Sequence, residues 1–463
     1  MPGRVEDKAI TMKGKTLLIS SLMVMVVFVF LTGKLTSNRE RKTKSELIIL
    51  YSGEDIGYLE TCGCSEGQQG GIAKRATVIE KLRNRARSEL LLLHNGDIID
   101  EPGLQQELKY QTAIAAMNEM GYDVFNIGEG DLWMGIEGLK SMMETSSLPF
   151  ISANLVVNGR RYFKPYIIKR MSLKGIELSV AVVGCLSEEF ESLFKDEGID
   201  LVSPSEVLPS ILQKLSREVE LIILLAHCDI SEAKELARKF PMIHLIVSGH
   251  RMEEGLNELI MCGRTMIVNP GTRGKKIGEL RLIFDGKGKI IGYENQLIPL
   301  GEEIPDSPEI KGLLSLYHRM VRDLNLLGRE EERGGTSKGR YVGTEVCRKC
   351  HEEVYAVWKK SKHAQAYETL VRVGRDYDPE CVKCHTTGYG EGGFMSVSKT
   401  PELKEVGCES CHGAGRRHIE RVEERYGRVP ERDCLKCHTK EASIGFNYQE
   451  YSHVIKHFKE NDH

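Results

Sequence analysis

The sequence predicts an α/β fold followed by a mainly α-helical region, and three observations carry that reading. Between Leu47 and Phe284, short apolar runs rich in β-branched residues alternate with helical intervals. From Cys347 to His438 one five-residue pattern, Cys-x-x-Cys-His, occurs four times. Around those patterns, residues 341–463 hold few aliphatic runs, too few for a hydrocarbon core of their own.

The chain opens with residues 1–15, basic through Arg4, Lys8, Lys13 and Lys15. Residues 16–33 contain the uncharged run Leu17 to Gly33, which has no polar face for a soluble helix. They read as a transmembrane anchor or a signal segment. No Ala-x-Ala site follows, and no Cys stands where a lipoprotein needs one, which favours an uncleaved anchor. A start at Met12 would leave a shorter basic lead. Lys34, Arg39, Arg41, Lys42 and Lys44 make the other flank basic too, so loop charge does not orient the segment. Residues 34–45 form a polar tether.

Residues 46–300 carry the α/β pattern. Strands are expected at Leu47–Tyr51, Leu90–Leu93, Tyr122–Ile127, Phe150–Asn154, Leu178–Val183, Leu221–Leu225, Leu245–Val247, Met266–Val268 and Leu280–Phe284. Helices are expected near 72–87, 105–119, 205–217 and 230–240. Continuous apolar runs joined by helical crossovers imply strands buried on both faces. Residues 301–340 read as a linker, with a helix around Ile310–Leu326 and a glycine-rich hinge at Gly334–Gly339.

The four patterns are Cys347-Arg-Lys-Cys350-His351, Cys381-Val-Lys-Cys384-His385, Cys408-Glu-Ser-Cys411-His412 and Cys434-Leu-Lys-Cys437-His438. This is the c-type haem attachment motif: two thiols add to the porphyrin vinyl groups, and the following His is placed under the iron. With 13 Cys and 14 His in the chain, chance predicts roughly 0.01 matches. Two Cys₄ zinc sites would use the same thiols but do not explain a His after every pair. A haem in each motif would supply the core that residues 341–463 lack, so folding should depend on it. Only Met395 is available there, which excludes His/Met ligation throughout. Nine His are present, so after the four proximal ones His363, His418, His453, His457 and His463 remain for sixth positions. Mostly bis-His, low-potential haems follow.

Two resemblances sharpen this. Tyr341-Val342-Gly343, Trp358, Ser361-Lys362-His363-Ala364, Asp378-Pro379-Glu380-Cys381 and Glu409 to Gly415 with His418 beyond resemble the tetrahaem cytochromes c of the nitrifier c-554 type. That resemblance implies distal roles for His363 and His418. In the tail, Ile455-Lys456-His457 matches better than His453, which is the reserve, and His463 sits at a frayed terminus. Four proximal ligands against three distal ones leave one iron open. Trp358, Tyr367 and Tyr389 read as haem packing.

Residues 46–300 resemble the 5′-nucleotidase branch of the calcineurin-like metallophosphoesterases, which implies a sandwich of sheets flanked by helices. Gly57-Tyr58-Leu59, Gly70 to Arg75, Gly96-Asp97, the block at Tyr122–Asp131, Ala226-His227 and Ser248-Gly249-His250 carry it. The family holds two metals that activate a bridging hydroxide. Here the first His position is Ile56, Gly128-Glu129-Gly130-Asp131 replaces Gly-Asn-His-Glu, and Met252 replaces the last His. Asp97, His227 and His250 remain, enough for one residual divalent metal with Glu54 or Asp131. The alternatives are a degenerate scaffold and a working hydrolase. Cys62-Gly63-Cys64 stands apart, a candidate soft-metal site, redox disulfide or structural pair. Cys185, Cys228 and Cys262 read as inert thiols.

A net charge of -3 gives no nucleic-acid footprint. The expectation is a tetrahaem c-type cytochrome that passes electrons between redox proteins of a respiratory chain, its α/β domain docking or positioning a partner. It is expected on the bacterial inner membrane with its bulk in the periplasm, because haem is attached covalently outside the cytoplasm. An oxidoreductase acting on a small nitrogen compound at an open haem, and a metal-dependent hydrolase, are the alternatives.

Overall fold

Leu47, Ile49 and Tyr51 of β1 (Ser45–Ser52) enter one core, while Ile48 and Leu50 enter another. Side chains alternate along a strand, so a strand buried on both faces carries no polar break. The same holds for β9 (Leu221–His227): Leu221, Ile223 and Leu225 point one way, and Ile222, Leu224 and Ala226 the other. The computed structural model describes residues 45–457 apart from 86–88, 196–197, 251, 329–338, 425, 428 and 456. The segment at 16–33, His463 and most of the glycine-rich hinge lie outside the described residues.

Two six-stranded sheets face each other. The first contains β1, β2 (Glu89–His94), β3 (Val124–Asn126), β4 (Phe150–Ile151), β13 (Lys276–Phe284) and β14 (Ile290–Pro299), in the order β14-β13-β1-β2-β3-β4. The second contains β6 (Tyr166–Leu173), β7 (Ile176–Leu186), β9, β10 (Leu245–Gly249), β11 (Ile260–Cys262) and β12 (Thr265–Val268), in the order β11-β12-β10-β9-β7-β6. Central neighbours β1 and β2, and β7, β9 and β10, run parallel, so helices must cross between them. Helices α1 (Ile72–Arg85) and α2 (Leu104–Met120) cover the first sheet. The second is covered by α4 (Pro204–Leu215) and α5 (Ile230–Lys239), and α3 (Gly135–Thr145) follows β3 in the chain. β5 (Leu155–Val157) and β8 (Ile199–Leu201) form a separate small ladder. The result is a four-layer α/β/β/α sandwich.

The four helices and nine strands expected for this region are present, with β3 and β4 shorter than their apolar runs. Edge strands β6 and β14 escaped the apolar criterion because they alternate. β6 carries Lys169 and Arg170 among half-buried neighbours, and β14 is open to solvent on one side. α6 (Pro308–Asp323), begun by the Ser307 hydroxyl accepting from Ile310 N, buries Ile310, Leu314, Tyr317 and Val321 at helical spacing. Those side chains join the α1–α2 core, so the predicted linker helix packs as part of the sandwich.

Beyond residue 339 the texture changes. Helices are at most eight residues long, as in Glu352–Lys359 and Ala366–Val373. One small apolar cluster, Tyr367, Leu370, Val382, Phe394 and Leu403, is buried. Among the described residues no helix is long and apolar enough to cross a membrane.

Candidate functional site

Each Cys-x-x-Cys-His run coils into one helical turn. Cys350 N and His351 N donate to the Cys347 carbonyl at 3.2 and 2.9 Å, and Cys437 N and His438 N do the same to Cys434. Residues three and four apart share a helix face, so both thiols and the imidazole of a motif present together. All eight motif cysteines are free thiols. They and their four His line one continuous cavity of about 2690 Å³. Four porphyrins packed at interior density occupy roughly 600 Å³ each, so the space has the right scale. The thiols of Cys347 and Cys408 are neighbours, as are those of Cys384 and Cys437, and Cys411 lies on the side of Cys434. In space the motifs therefore run first, third, fourth, second.

The imidazoles pair across this cavity. Ring centroids stand 6.3 Å apart for His351 and His418, 6.1 Å for His363 and His438, and 5.9 Å for His412 and His457. A metal between two imidazoles needs two bonds of about 2 Å plus two half-rings, about 6 Å in all. His385 is the exception: among the described residues no second imidazole stands opposite it. His385 Nδ1 lies 2.7 Å from the Ala366 carbonyl and His412 Nδ1 2.8 Å from the Gly427 carbonyl, which leaves Nε2 without the proton and able to ligate. His418 Nδ1 is buried without a partner. Burial lowers the pKa of His363, His412 and His438, favouring the neutral form that ligates. His453 is exposed. Trp358 donates to the Val406 carbonyl at 2.9 Å and Tyr367 is buried in the small apolar cluster. The donor set and the spacing fit haem c.

A residue missed in the sequence, Glu409, holds this arrangement at its centre. Its buried carboxylate accepts from Val342 N and Gly343 N at 3.0 and 2.7 Å and from Gly415 N at 2.6 Å. It thereby ties the segment before the first motif to the turn after the third. Nothing in the sequence marks a Glu between two motif cysteines as buried.

The α/β domain supplies one wall of the cavity. Glu60 pairs with Arg375 at 2.5 Å and with His318 at 2.8 Å, Gln105 donates to Asp378 at 2.9 Å, and Lys109 pairs with Glu380. Arg375, Asp378 and Glu380 lead directly into Cys381. On the fourth motif's side Arg273 pairs with Glu441 at 3.1 Å, and Gln68 donates to the Glu441 carbonyl at 2.7 Å.

Inside the sandwich, at the ends of β1, β2, β9 and β10, lies a second cluster. One ligand atom each of Glu54, Asp97, His227 and His250 falls within 4.8 Å of the others. Glu129 joins them: its carboxylate lies 2.8 Å from His227 Nε2 and 3.0 Å from His250 Nδ1. His227 Nδ1 is committed to the Asn95 carbonyl at 2.7 Å. Its Nε2 therefore faces Glu129 and, at 3.2 Å, Asp97, and needs either a second proton or a cation there. Burial lifts Glu54 to about 7 and raises Asp97. Burial works against ionised Glu129 and His227 as well, but the pair outweighs it, holding Glu129 below the usual carboxylate range and His227 well above the usual imidazole range. Glu54, Asp97 and His250 all hold positive φ, at 50°, 59° and 94°, a backbone cost that gathers at functional sites. Two imidazoles with oxygen donors fit one divalent cation, which would supply Lewis acidity.

Asp131 is a correction to the sequence reading. Its carboxylate accepts from Asp97 N, Ile98 N and Gly128 N at 3.0, 3.0 and 2.8 Å, so it braces the loop and offers no free oxygen to the cluster. Glu129 was missed because it stands in a block read only for its lost residues. Any side chain at Gly130 would bring its Cβ to 1.9 Å from the Ile99 carbonyl oxygen, so the position has closed against the family's His. Beneath the cluster Asp55 and Arg75 form a buried ion pair, with His94 Nε2 3.2 Å from Asp55. That pairing explains why the Gly70–Arg75 block accompanies the first loop.

Comparisons with known proteins divide at the same place. The family model for cytochrome c554 and c-prime matches residues 346–413. Cytochrome c-554 of Nitrosomonas europaea is 38% identical over 92 residues, 16% of this chain and 39% of that protein. The 5′-nucleotidase of Bos taurus is 28% identical over 300 residues, 58% of this chain and 51% of that protein. A cytochrome c-554-like region follows a 5′-nucleotidase-like domain. The calcineurin-like phosphoesterase structure from Bacillus subtilis superposes with a TM-score of 0.51 at 20% identity, covering 60% of this chain and 97% of that one, which shows the shared sandwich fold. The chain spans about half the length of the curated nucleotidases it matches.

Removing Arg75 by R75M strands the Asp55 carboxylate in the core and costs about 3–5 kcal/mol at neutral pH, read by calorimetric or denaturant unfolding. Burial pushes Asp55 up, but Arg75 and His94 hold it below the usual range. Its contribution is therefore present above the unfolded Asp pKa of about 4 and is lost as the medium is acidified below that; in D55N the acid limb flattens. Protein equilibrated with Mn²⁺ or Zn²⁺ and desalted retains about one cation at the cluster, and H227A or E129A releases it, as elemental analysis beyond the haem iron shows.

Proposed function

We propose that this chain is an extracytoplasmic, membrane-anchored tetrahaem c-type cytochrome that carries electrons between respiratory redox partners. Haem c, when bound, supplies a one-electron Fe(III)/Fe(II) couple. The chain's own residues do the rest. Cys347 and Cys350, Cys381 and Cys384, Cys408 and Cys411, and Cys434 and Cys437 would tether the four groups, and His351, His385, His412 and His438 would ligate the irons. His418, His457 and His363 are assigned as partners of His351, His412 and His438, which the ring separations support. The neighbouring thiols of Cys347 and Cys408, and of Cys384 and Cys437, support a row in the order first, third, fourth, second, along which electrons would pass singly. Residues 16–33 serve as the anchor, and the nucleotidase-like domain as the positioning wall for the second and fourth motifs.

A second reading rests on one observation. His385 has no imidazole facing it among the described residues. That favours a five-coordinate haem at the second motif, with an open position for a small nitrogen compound. A hydrolase reading is weaker, because Ile56, Gly130 and Met252 stand where its metal and catalytic His belong; the one-cation cluster is a residue of that ancestry.

The single observation that carries the proposal is the shared cavity lined by all four motifs. A reduced pyridine-haem spectrum with intact mass is expected to show about four covalent haems per chain. H418M is expected to raise the reduction potential of one haem and leave the other three unchanged. A zinc-loaded, haem-free protein with a folded C-terminal region would overturn the reading.

A further inference from the structure

Neither the cytochrome-like reading nor the nucleotidase-like fold accounts for Cys62-Gly63-Cys64. In the structure the two cysteines are bridged, with Cα atoms 5.3 Å apart. Their loop is held at both ends against the cytochrome-like region: Glu60 grips Arg375 ahead of the second motif, and Gln68 reaches the Glu441 carbonyl behind the fourth. Gly67 lies against Ile444, where an added Cβ would stand 3.9 Å from its side chain. Cys62 and Cys64 line the same cavity as Cys381, Cys384, Cys434 and Cys437. The bridge therefore sits at the end of the motif row, beside the second and fourth motifs.

The two sulfurs differ. Cys62 Sγ receives Gln68 Nε2 at 3.0 Å and Cys64 N at 3.2 Å, two donors placed to hold a thiolate. Both cysteines are exposed, so the two donors on Cys62 are what set the sulfurs apart. Cys62 is the sulfur held to leave, and exposed bridges are the readily exchanged class.

We propose that Cys62–Cys64 is a redox-active disulfide that exchanges two electrons with the haem row and so couples one-electron transport to thiol–disulfide chemistry. In the reducing direction the S–S bond breaks and two S–H bonds form. Two electrons come, one each, from two ferrous haems that become ferric, and two protons come from solvent at the exposed loop. The Cys64 sulfur, which receives neither of those donors, is then the one that exchanges with a dithiol or disulfide outside the membrane.

The inference rests on the multihaem reading. The test uses full-length holoprotein, reduced briefly without thiols, stripped of reductant under anaerobic conditions, and followed by haem absorbance and by alkylation with peptide mass analysis. Wild type is expected to reoxidise two haem equivalents while Cys62 and Cys64 become alkylated, and C62S/C64S to keep every haem ferrous. Q68L, which retains the bridge, is expected to slow both signals about tenfold, the loss of one charge-assisted hydrogen bond. Wild-type haems that stay ferrous, or cysteines alkylated at once with no haem reoxidation, would overturn the inference. A missing haem complement would instead defeat the multihaem reading, so the two failures are distinguishable.

Discussion

Residues 339–457 have to enclose a space that their own side chains do not fill. One five-residue apolar cluster is buried there, and the helices are single turns or pairs of turns. What organises the region is convergence. Four turns each present two thiols and an imidazole to a common cavity, and segments between and after the motifs bring further imidazoles opposite three of them. The Glu409 carboxylate, buried and bonded to three backbone amides, is a polar post that protein alone provides. Bound haem would supply the core that such a region lacks, as metal does in small metallodomains.

The nucleotidase-like sandwich works under the opposite regime. Its central strands are buried on both faces against three large apolar clusters, and the fold stands without the histidines that the resembled family carries. Ile56, Gly130 and Met252 stand where the resembled family places histidines, and the space at Gly130 is closed by the Ile99 carbonyl. Glu54 and Glu129 thickened the charge around what remained. The buried Asp55–Arg75 pair still fixes the loop that carries Glu54. A scaffold with a rigid loop edge is well suited to grip the cytochrome-like region, and the ion pairs from Glu60, Lys109 and Arg273 do so on the sides of the second and fourth motifs.

Much of this was legible in the sequence because the signals were local. Attachment motifs are contiguous, and doubly buried strands such as β1 and β9 are unbroken apolar runs. Edge strands β6 and β14 were not legible, because half-exposed alternation resembles loop sequence. Glu129 and Asp131 exchanged roles relative to expectation, since which carboxylate faces the cluster depends on a turn that only three-dimensional closure at Gly130 sets. The pairing of His363 with the fourth motif, 75 positions along the chain, depends on the spatial order of the motifs, which spacing does not encode.

The asymmetry at His385 is where the account is most exposed. Three proximal imidazoles have partners near 6 Å, and this one has none among the described residues. Low-temperature electron paramagnetic resonance of the fully oxidised holoprotein, integrated against total haem, counts ferric spin states directly. The account predicts one high-spin haem to three low-spin haems, with the high-spin signal abolished when the second motif's attachment cysteines are replaced. Four low-spin haems, or a high-spin signal that survives that replacement, would contradict it.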